Sequence, residues 1–303
     1  MNEFDIIRHY FKQSASNNEF VRLGIGDDAA VLAVPAGHEM AVSIDTMLQD
    51  RHFFADTAAN SLGHKVLAIN LSDMAAMGAR PVAFVCSLTL PSHDEAWLHG
   101  FAQGLFQLAS EHDVSLVGGD LCRGPLSISI TIHGIVPVGK ALKRFGANVG
   151  DDIYVSGELG AAGLAVDCIK NNRACPESAK LKLERPTPRV ALGLALRNIA
   201  TACIDISDGL VQDLSHILQQ SGVGADVDLA KVPGVKRFAL NGGDDYELCF
   251  TAPESASDEI KKISKQTQTD LQIVGKITSA AKLSCIGLNG ELIQSSKAGY
   301  KHF

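Results

Sequence analysis

Aspartates recur at the ends of apolar segments of this chain, and most have glycine beside them. They occur in Gly26-Asp27-Asp28, Ser43-Ile44-Asp45, Gly118-Gly119-Asp120, Asp205-Ile206-Ser207-Asp208-Gly209 and Gly242-Gly243-Asp244-Asp245. Ligand sites of α/β proteins gather where strands end. Aspartate and glycine also cap helices and form turns in any protein, which is the more frequent explanation for a single position. Their recurrence favours a ligand site built from carboxylates.

Asp73 is a stronger candidate because it falls on the apolar stripe of a predicted helix. The spacing of Leu62, Val66, Ile69 and Met77 predicts that helix over residues 57–79. A buried carboxylate without a partner costs several kcal/mol, so an arginine or a metal must neutralise it. If several carboxylates converge, each pair near 4 Å repels by about 4 kcal/mol at an effective dielectric of about 20. Such a cluster needs cations.

The donor chemistry points to a hard cation. Oxygen ligands without a histidine or cysteine cluster select Mg²⁺ or Ca²⁺, and a few carboxylates combined with substrate phosphates favour Mg²⁺. The segment 134–141 imitates a P-loop, but Ala141 replaces the Ser/Thr that would hold Mg²⁺. The segment 24–29 imitates a dinucleotide turn, but Asp27 and Asp28 would repel an unscreened pyrophosphate. Carboxylates that reach phosphates through an ion fit better.

Three further sites could meet an anion. The turn Ser207–Gly209 precedes a helix predicted from Leu210 and is expected to present free backbone N–H groups to a phosphate, unless it is a simple helix cap. Arg144 could clamp a phosphate and His52 could meet an anionic substrate, or both are ordinary exposed loop residues. No spacing supports a Ser-His-Asp or Cys-His arrangement, so covalent catalysis has no positive support.

Hydrophobic periodicity predicts the elements that position these residues. In the first half, a second helix follows a capping box of Ser92 and Glu95, a short strand at 114–120 stops at Asp120, and two-sided strands cover 82–90 and 127–138. In the second half, strands are expected at 152–157 and 246–253, a strand followed by a turn at 201–209, and helices at 159–170 and 210–222. This alternation predicts an α/β or α+β fold.

Length and composition set the outer limits. The chain has 303 residues, which at roughly 150 per domain suggests two domains, and the glycine-containing basic segment 139–152 is the best candidate for their connection. The predicted domains are 1–139 and 140–303. With 46% hydrophobic residues and a net charge of −7, the chain is neither disordered nor a nucleic-acid scaffold. No signal peptide, membrane span or disulfide framework is indicated, so a cytoplasmic protein is expected.

Several segments together resemble the thiamine-monophosphate kinase family, in the superfamily of aminoimidazole ribonucleotide synthetase. The segments are GIGDDAAVL, SIDT, HKVLAINLSDMAAMGARP, GGDLCRG, HGIVP, IDISDGL and GGDDYELCF. The resemblance implies a two-domain synthetase-like fold and a homodimer in which mixed sheets of the first domains form a shared barrel. It also implies ATP-dependent phosphorylation of thiamine monophosphate to thiamine diphosphate with several Mg²⁺ ions.

The resemblance also assigns roles to single residues. The implied Mg²⁺ ligands are Asp28, Ser43, Asp45, Asp73, Asp120, Asp205 and Asp208. The implied ATP contacts are Gly119, Asp120, Arg144 and Ser207, and the implied thiamine monophosphate contacts are His52, Asp244 and Tyr300. Asp73, Asp28 and Asp208 are the residues expected to carry catalysis. Ile44 stands where relatives commonly have Thr, so a metal contact there would come from the backbone.

Two other functions remain open at this point. One is a different ATP-dependent synthetase of the same superfamily, although the reactive Cys or selenocysteine with a nearby Lys that selenophosphate synthetases carry does not occur before Gly24. The other is a non-catalytic regulator that binds Mg²⁺ or a nucleotide. Formation of thiamine diphosphate from ATP and thiamine monophosphate separates the kinase from both.

Overall fold

The computed structural model describes residues 3–12 and 18–293. The chain divides into two compact units. The N-terminal unit comprises Met1–Met74 and Ala79–Gly139, and the C-terminal unit comprises Ala75–Gly78 and Lys140–Phe303. Both units contain helices and strands, and the mixed α/β architecture expected from the sequence is confirmed.

The N-terminal unit is built on a mixed sheet. Its helices are α1 (Glu3–Ile6, continued by a π-helix at Ile7–Phe11), α2 (Ala59–Ala76, whose last two residues group with the C-terminal unit) and α3 (Glu95–Glu111). Its strands are β1 (Val21–Leu23), β2 (Val31–Leu32), β3 (His38–Leu48), β4 (Arg80–Leu90), β5 (Ser115–Arg123) and β6 (Ser127–Pro137). Among the described residues the sheet order is β3-β6-β4-β5, with β6 antiparallel to β3 and β4, and β5 parallel to β4.

Three local predictions in this unit need correction. Helix α2 is shorter than predicted and ends before Met77. Helix α3 is capped by Asp94, the last residue with extended backbone, whose carboxylate accepts the Trp97 N–H at 3.0 Å; Ser92 lies too early to do so. Strand β5 does not stop at Asp120, because it stays paired with β4 as far as Arg123.

The C-terminal unit has a second mixed sheet. Its strands are β7 (Asp152–Ser156), β8 (Ala202–Ile206), β9 (Gly224–Asp228), β10 (Glu247–Ala252), β11 (Leu271–Thr278), β12 (Leu283–Ile286) and β13 (Leu292–Ile293). Its helices are α4 (Ala161–Lys170), α5 (Glu177–Glu184), α6 (Val190–Ala195), α7 (Leu210–Ser221) and α8 (Ser257–Thr267). The sheet order within the described part of the chain is β13-β12-β9-β11-β7-β10-β8. Every residue of β7, β8 and β10 is buried, which explains why apolar residues predominate in them.

No helix of the described residues combines the length and the apolar character needed to cross a lipid bilayer.

Gly119 is required for the pairing of β4 with β5. It has φ +155°, and a Cβ built on it would lie 1.9 Å from the carbonyl oxygen of Cys86 on the neighbouring strand. A Cβ on Gly118 would be 3.5 Å from the Val85 side chain, which is ordinary contact. The two adjacent glycines therefore differ sharply in what they tolerate.

We expect Gly119→Ala to destabilise the protein by about 2 kcal/mol or more, because the added methyl cannot fit beside the Cys86 carbonyl without moving β5. Gly118→Ala is the matched control and should cost less than about 1 kcal/mol. Urea unfolding of the three proteins measures both values. Equal stability of the two variants would contradict this explanation.

Candidate active site

Two aspartates predicted as metal ligands lie together in the N-terminal unit. Alternation along β3 places Ser43 and Asp45 on the face that also carries buried Met47. Asp73 projects from α2 toward these residues. The Ser43 hydroxyl donates to Asp73 Oδ2 at 2.5 Å, and Asp45 shares a side-chain hydrogen bond with Asp73. The structure thus brings three of the predicted ligands into one cluster.

The ionised form of Asp45 is disfavoured in this cluster. Burial, followed by the charge of Asp73 and the hydrogen bond with it, raises the pKa of Asp45 from 3.8 to about 7. A carboxylate with a raised pKa is one whose ionised form is disfavoured by its surroundings. The pair must share a proton or accept a positive ion, and at neutral pH the two alternatives compete.

The donors fit Mg²⁺. They are carboxylate and hydroxyl oxygens, which hard divalent ions prefer. Over the described residues, no group of three His, Cys, Asp or Glu side chains is close enough to hold a metal on its own. Mg²⁺ commonly binds through one or two carboxylates and completes its shell with water and substrate phosphates. Asp45, Asp73 and Ser43 supply such an incomplete shell.

A second group of predicted residues surrounds a cavity in the same unit. Asp27 and Asp28 lie on the exposed loop between β1 and β2, and Gly119 and Asp120 lie on β5. All four line a cavity of about 650 Å³ whose remaining walls are mostly apolar, formed by residues that include Ile7. Sequence reasoning missed these walls because apolar residues at such spacing are usually core.

Strand pairing keeps Gly119 and Asp120 apart from the carboxylate cluster within one chain. Asp45 pairs with Ile130, Ile130 with Cys86, and Cys86 with Gly119, so one row crosses the whole sheet. Three strand spacings correspond to about 14 Å along the sheet. Asp120, which follows Gly119, therefore does not join Asp45 in the same group.

In the C-terminal unit, Asp205 and Asp208 lie where β8 leads into α7. Asp205 is 5% exposed within β8, and the carboxylate of half-buried Asp208 accepts a hydrogen bond from the Gln212 amide at 2.8 Å. The expectation of free backbone N–H groups at this turn is wrong. Those of Asp208 and Gly209 both donate to Asp213 Oδ2 at 3.0 Å.

Asp213 is a residue that sequence reasoning missed. It is 3% exposed, and burial raises its pKa to about 7, against the effect of the N–H groups that bond to it. The available signal was its place beside Leu210, Leu214 and Ile217 on the buried stripe of α7. A carboxylate on an apolar helical face was the same signal that singled out Asp73.

Asp244 lies on a loop tied to the same turn. Its backbone N–H donates to the Ser207 carbonyl at 2.8 Å, its φ is +65°, and its carboxylate accepts the Tyr246 hydroxyl at 3.1 Å. The neighbouring Asp245 is buried and accepts the Gly160 N–H at the start of α4 at 2.8 Å. Asp244 and Asp245 therefore face different partners, and Asp245 supports the fold.

The remaining predicted residues are Arg144, His52 and Tyr300. Arg144 is exposed on the irregular segment before β7. His52 follows β3, and its Nδ1 accepts the Leu48 N–H at 3.0 Å, so a neutral ring carries its proton on Nε2. Tyr300 lies outside the described residues.

Two family models match the chain. The N-terminal domain of AIR synthase related protein matches residues 26–136, and the C-terminal domain of AIR synthase related protein matches residues 148–287. The matched segments contain the carboxylate cluster, the cavity residues Asp27, Asp28, Gly119 and Asp120, and the turn before α7.

Individual relatives are similar over nearly the whole chain. The thiamine-monophosphate kinase of Escherichia coli K12 is 42% identical over 318 residues, covering 99% of this chain and 98% of the relative. The crystal structure of thiamine-monophosphate kinase from Stenotrophomonas maltophilia has a TM-score of 0.86 and 42% identity, covering 91% and 93% of the two chains. A structure of AaThiL complexed with AMPPCP and TMP has a TM-score of 0.79 and 25% identity, covering 89% of each. The chain therefore belongs to the AIR synthase related family and, within it, to the thiamine-monophosphate kinases.

The carboxylate pair should show in the stability of the protein. The folded-state pKa of Asp45 lies above its unfolded value of 3.8, so its stabilising effect is complete below about pH 4 and is lost as the pH rises through about 7. Asp45→Asn does not titrate. Without Mg²⁺, its unfolding temperature relative to wild type should rise between pH 5 and pH 8, by about 2–4 °C for each kcal/mol relieved.

Mg²⁺ should reverse this order. An ion that binds only the folded wild type raises its unfolding temperature, and the effect should be smaller in Asp45→Asn. Thermal scans at pH 8 with and without Mg²⁺ provide the measurement, with Asp113→Asn, an exposed carboxylate paired with Arg80, as the control. An equal Mg²⁺ response of all three proteins would show that Asp45 holds no ion.

Proposed function

We propose that this chain catalyses ATP-dependent phosphorylation of thiamine monophosphate by direct in-line transfer with the help of several Mg²⁺ ions. An oxygen of the acceptor phosphate attacks the γ-phosphorus, the bond from that phosphorus to the bridging oxygen breaks, and ADP and thiamine diphosphate leave. Support comes from the full-length relatives named thiamine-monophosphate kinase and from the AaThiL complex with AMPPCP and TMP.

The cluster of Ser43, Asp45 and Asp73 carries this proposal. Two carboxylates in hydrogen-bond contact, one with a pKa raised to about 7, destabilise the fold at neutral pH but suit a bound cation. We assign them to Mg²⁺, with Asp73 as the central ligand. Mg²⁺ held by these side chains would neutralise phosphate charge. Asp45 and Asp73 would fix the position of the cation that neutralises the phosphate, and Ser43 orients Asp73.

The nucleotide is assigned to the cavity beside β5. Its volume of about 650 Å³ and largely apolar lining suit a ligand that buries a planar base. Asp28 and Asp120 at its margin are assigned to further Mg²⁺ ions that carry phosphates, and the backbone of Gly119 to the nucleotide. Their exposure on the loop and strand leaves both carboxylates accessible.

The other proposed contacts come mainly from the C-terminal unit, and His52 comes from the N-terminal unit. Asp205 and Asp208 are assigned to Mg²⁺, and Ser207 and Arg144 to ATP. His52, Asp244 and Tyr300 are assigned to thiamine monophosphate. With the N–H groups of Asp208 and Gly209 bound to Asp213, contact with phosphate at this turn falls to side chains.

The acceptor explains why no strong general base is needed. A phosphate monoester has a second pKa near 6 and is mostly dianionic at pH 7, so its oxygen is already nucleophilic. The obstacle is the repulsion between two polyanions, which positioned cations overcome. This chemistry needs ordered charges more than a covalent protein group.

We also propose a homodimer in which the N-terminal sheets form a shared barrel. The face of β3 opposite Asp45 carries Val42 and Ile44, which are 58% and 62% exposed, and Leu48, which is 43% exposed. β3 and β5 lie at the two ends of the sheet order. Apolar side chains beside unpaired strand edges are covered efficiently when a second sheet closes the barrel.

The kinase activity is tested with ATP, Mg²⁺ and thiamine monophosphate. Wild type should form thiamine diphosphate, and Asp73→Asn should lower kcat by about 10²-fold or more because the central ligand charge is lost. Asp113→Asn should keep normal turnover. With a chiral γ-thiophosphoryl donor, a single in-line transfer predicts inversion at phosphorus. Absence of thiamine diphosphate, or full activity of Asp73→Asn, would refute the assignment.

The dimer is tested by replacing Ile44 with Glu. Placing a charge on the covered face should shift the protein from dimer to monomer in analytical ultracentrifugation. Leu181→Glu, which changes an apolar residue of α5 with 56% exposure, is the control and should remain dimeric. A monomeric wild type or a dimeric Ile44→Glu variant would contradict the barrel.

A further inference from the structure

The turn Ser207–Gly209 is held by one buried side chain of the following helix. Asp213 lies in the first turn of α7 and is 3% exposed. Its Oδ2 accepts the backbone N–H groups of Asp208 and Gly209 at 3.0 Å each. The backbone N–H of Ser207 also bonds to this carboxylate. Three consecutive backbone donors therefore converge on Asp213.

This arrangement differs from an ordinary helix cap. A capping side chain at the residue before a helix accepts N–H groups of the first helical turn. Gly209 occupies that place and offers no side chain. Asp213 instead reaches back to donors at and before the helix start. Its hydrogen bonds thus fix the backbone that carries Ser207 and Asp208.

The opposite side of the turn is fixed by the loop at 242–246. The N–H of Asp244 donates to the Ser207 carbonyl at 2.8 Å, and the N–H of Tyr246 donates to the Ile206 carbonyl at 2.9 Å. Ser207 therefore has both backbone polar groups bonded within the unit. The direction of its side chain, and of the Asp208 side chain next to it, depends on these bonds.

We propose that Asp213 is a positioning residue for phosphoryl transfer, holding the turn so that Ser207 and Asp208 meet the nucleotide and its Mg²⁺. This inference rests on the function proposed above. Removing the carboxylate would leave three backbone donors without their acceptor, and the turn would move to find others. A displacement of about 1 Å in a catalytic site can lower the rate by roughly 10²-fold.

Steady-state kinetics of Asp213 variants test the proposal. Asp213→Ala should lower kcat by about 10²-fold and raise the Mg²⁺ concentration needed for half-maximal rate. Asp213→Asn keeps one oxygen that can accept the same N–H groups and should recover most of this loss. Asp213→Glu keeps the charge but lengthens the side chain, and should behave like Asp213→Ala while remaining folded.

The matched control is Asp151, another buried carboxylate of the C-terminal unit. It is 4% exposed and accepts the Asn148 N–H at 2.9 Å and the Thr201 hydroxyl at 2.6 Å. Asp151→Ala should lower the unfolding temperature but leave the Mg²⁺ requirement and the KM for ATP unchanged. A shift in Mg²⁺ requirement confined to Asp213 variants supports positioning.

The outcomes separate the two proposals. An active wild type with Asp213→Ala and Asp213→Glu at wild-type kcat and Mg²⁺ requirement would overturn the positioning role alone. If Asp213→Ala does not fold, Asp213→Glu decides by the same criteria. A wild type that forms no thiamine diphosphate would overturn the proposed function. Calorimetric binding of Mg²⁺ and a non-hydrolysable ATP analogue would then still test the turn: Asp213→Asn should bind nearly as wild type does and Asp213→Glu more weakly, and equal affinity of Asp213→Glu and wild type would overturn the positioning role.

Discussion

The repulsion between Asp45 and Asp73 is the constraint on which the proposed chemistry depends. Strand β3 presents one carboxylate and α2 the other, and both are held by elements with buried apolar contacts. Both side chains are only partly exposed, so water does not fully screen the repulsion between them. The protein therefore holds the two carboxylates together at a fixed place, where a positive charge would stabilise them. Phosphoryl transfer between two anions needs cations at fixed places, so the repulsion between these carboxylates would serve the proposed reaction.

Rigid backbone supports the other proposed contacts. At β5, the close approach of Gly119 to the Cys86 carbonyl fixes the backbone immediately before Asp120. At the start of α7, Asp213 and the loop at 242–246 hold the turn from two sides. In both places backbone polar groups are bonded within the protein, and side chains remain to meet ligands. Sites built on such elements keep their geometry when charged ligands arrive.

Periodicity predicted four of the eight α-helices and six of the thirteen strands in the described residues, those whose apolar patterns are long, and it predicted Asp73 because a carboxylate interrupts such a stripe. Helix starts were harder to predict from the sequence. Asp94 and Ser92 are both good caps, and only the backbone conformation distinguishes them. The continuation of β5 past Asp120 depends on pairing with β4, which local sequence does not encode. The turn before α7 was misjudged because its N–H partner, Asp213, comes after the turn on a helix face whose burial depends on tertiary packing.

The grouping of site residues was the least predictable part. Sequence order does not reveal that Ser43 and Asp45 meet Asp73 across strand and helix, or that Asp120 lies about three strand spacings from Asp45. These relations follow from the register of β3, β6, β4 and β5. Resemblance to the family identified the residues as a set, and strand register separated them into distinct groups.

The most direct test is a crystal of the protein grown with Mn²⁺ in place of Mg²⁺ and a non-hydrolysable ATP analogue. Anomalous scattering should show an ion about 2.0–2.3 Å from carboxylate oxygens of both Asp45 and Asp73, with a nucleotide phosphate in its shell. A nucleotide bound with all its ions elsewhere, and Asp45 still hydrogen-bonded to Asp73, would contradict the central claim.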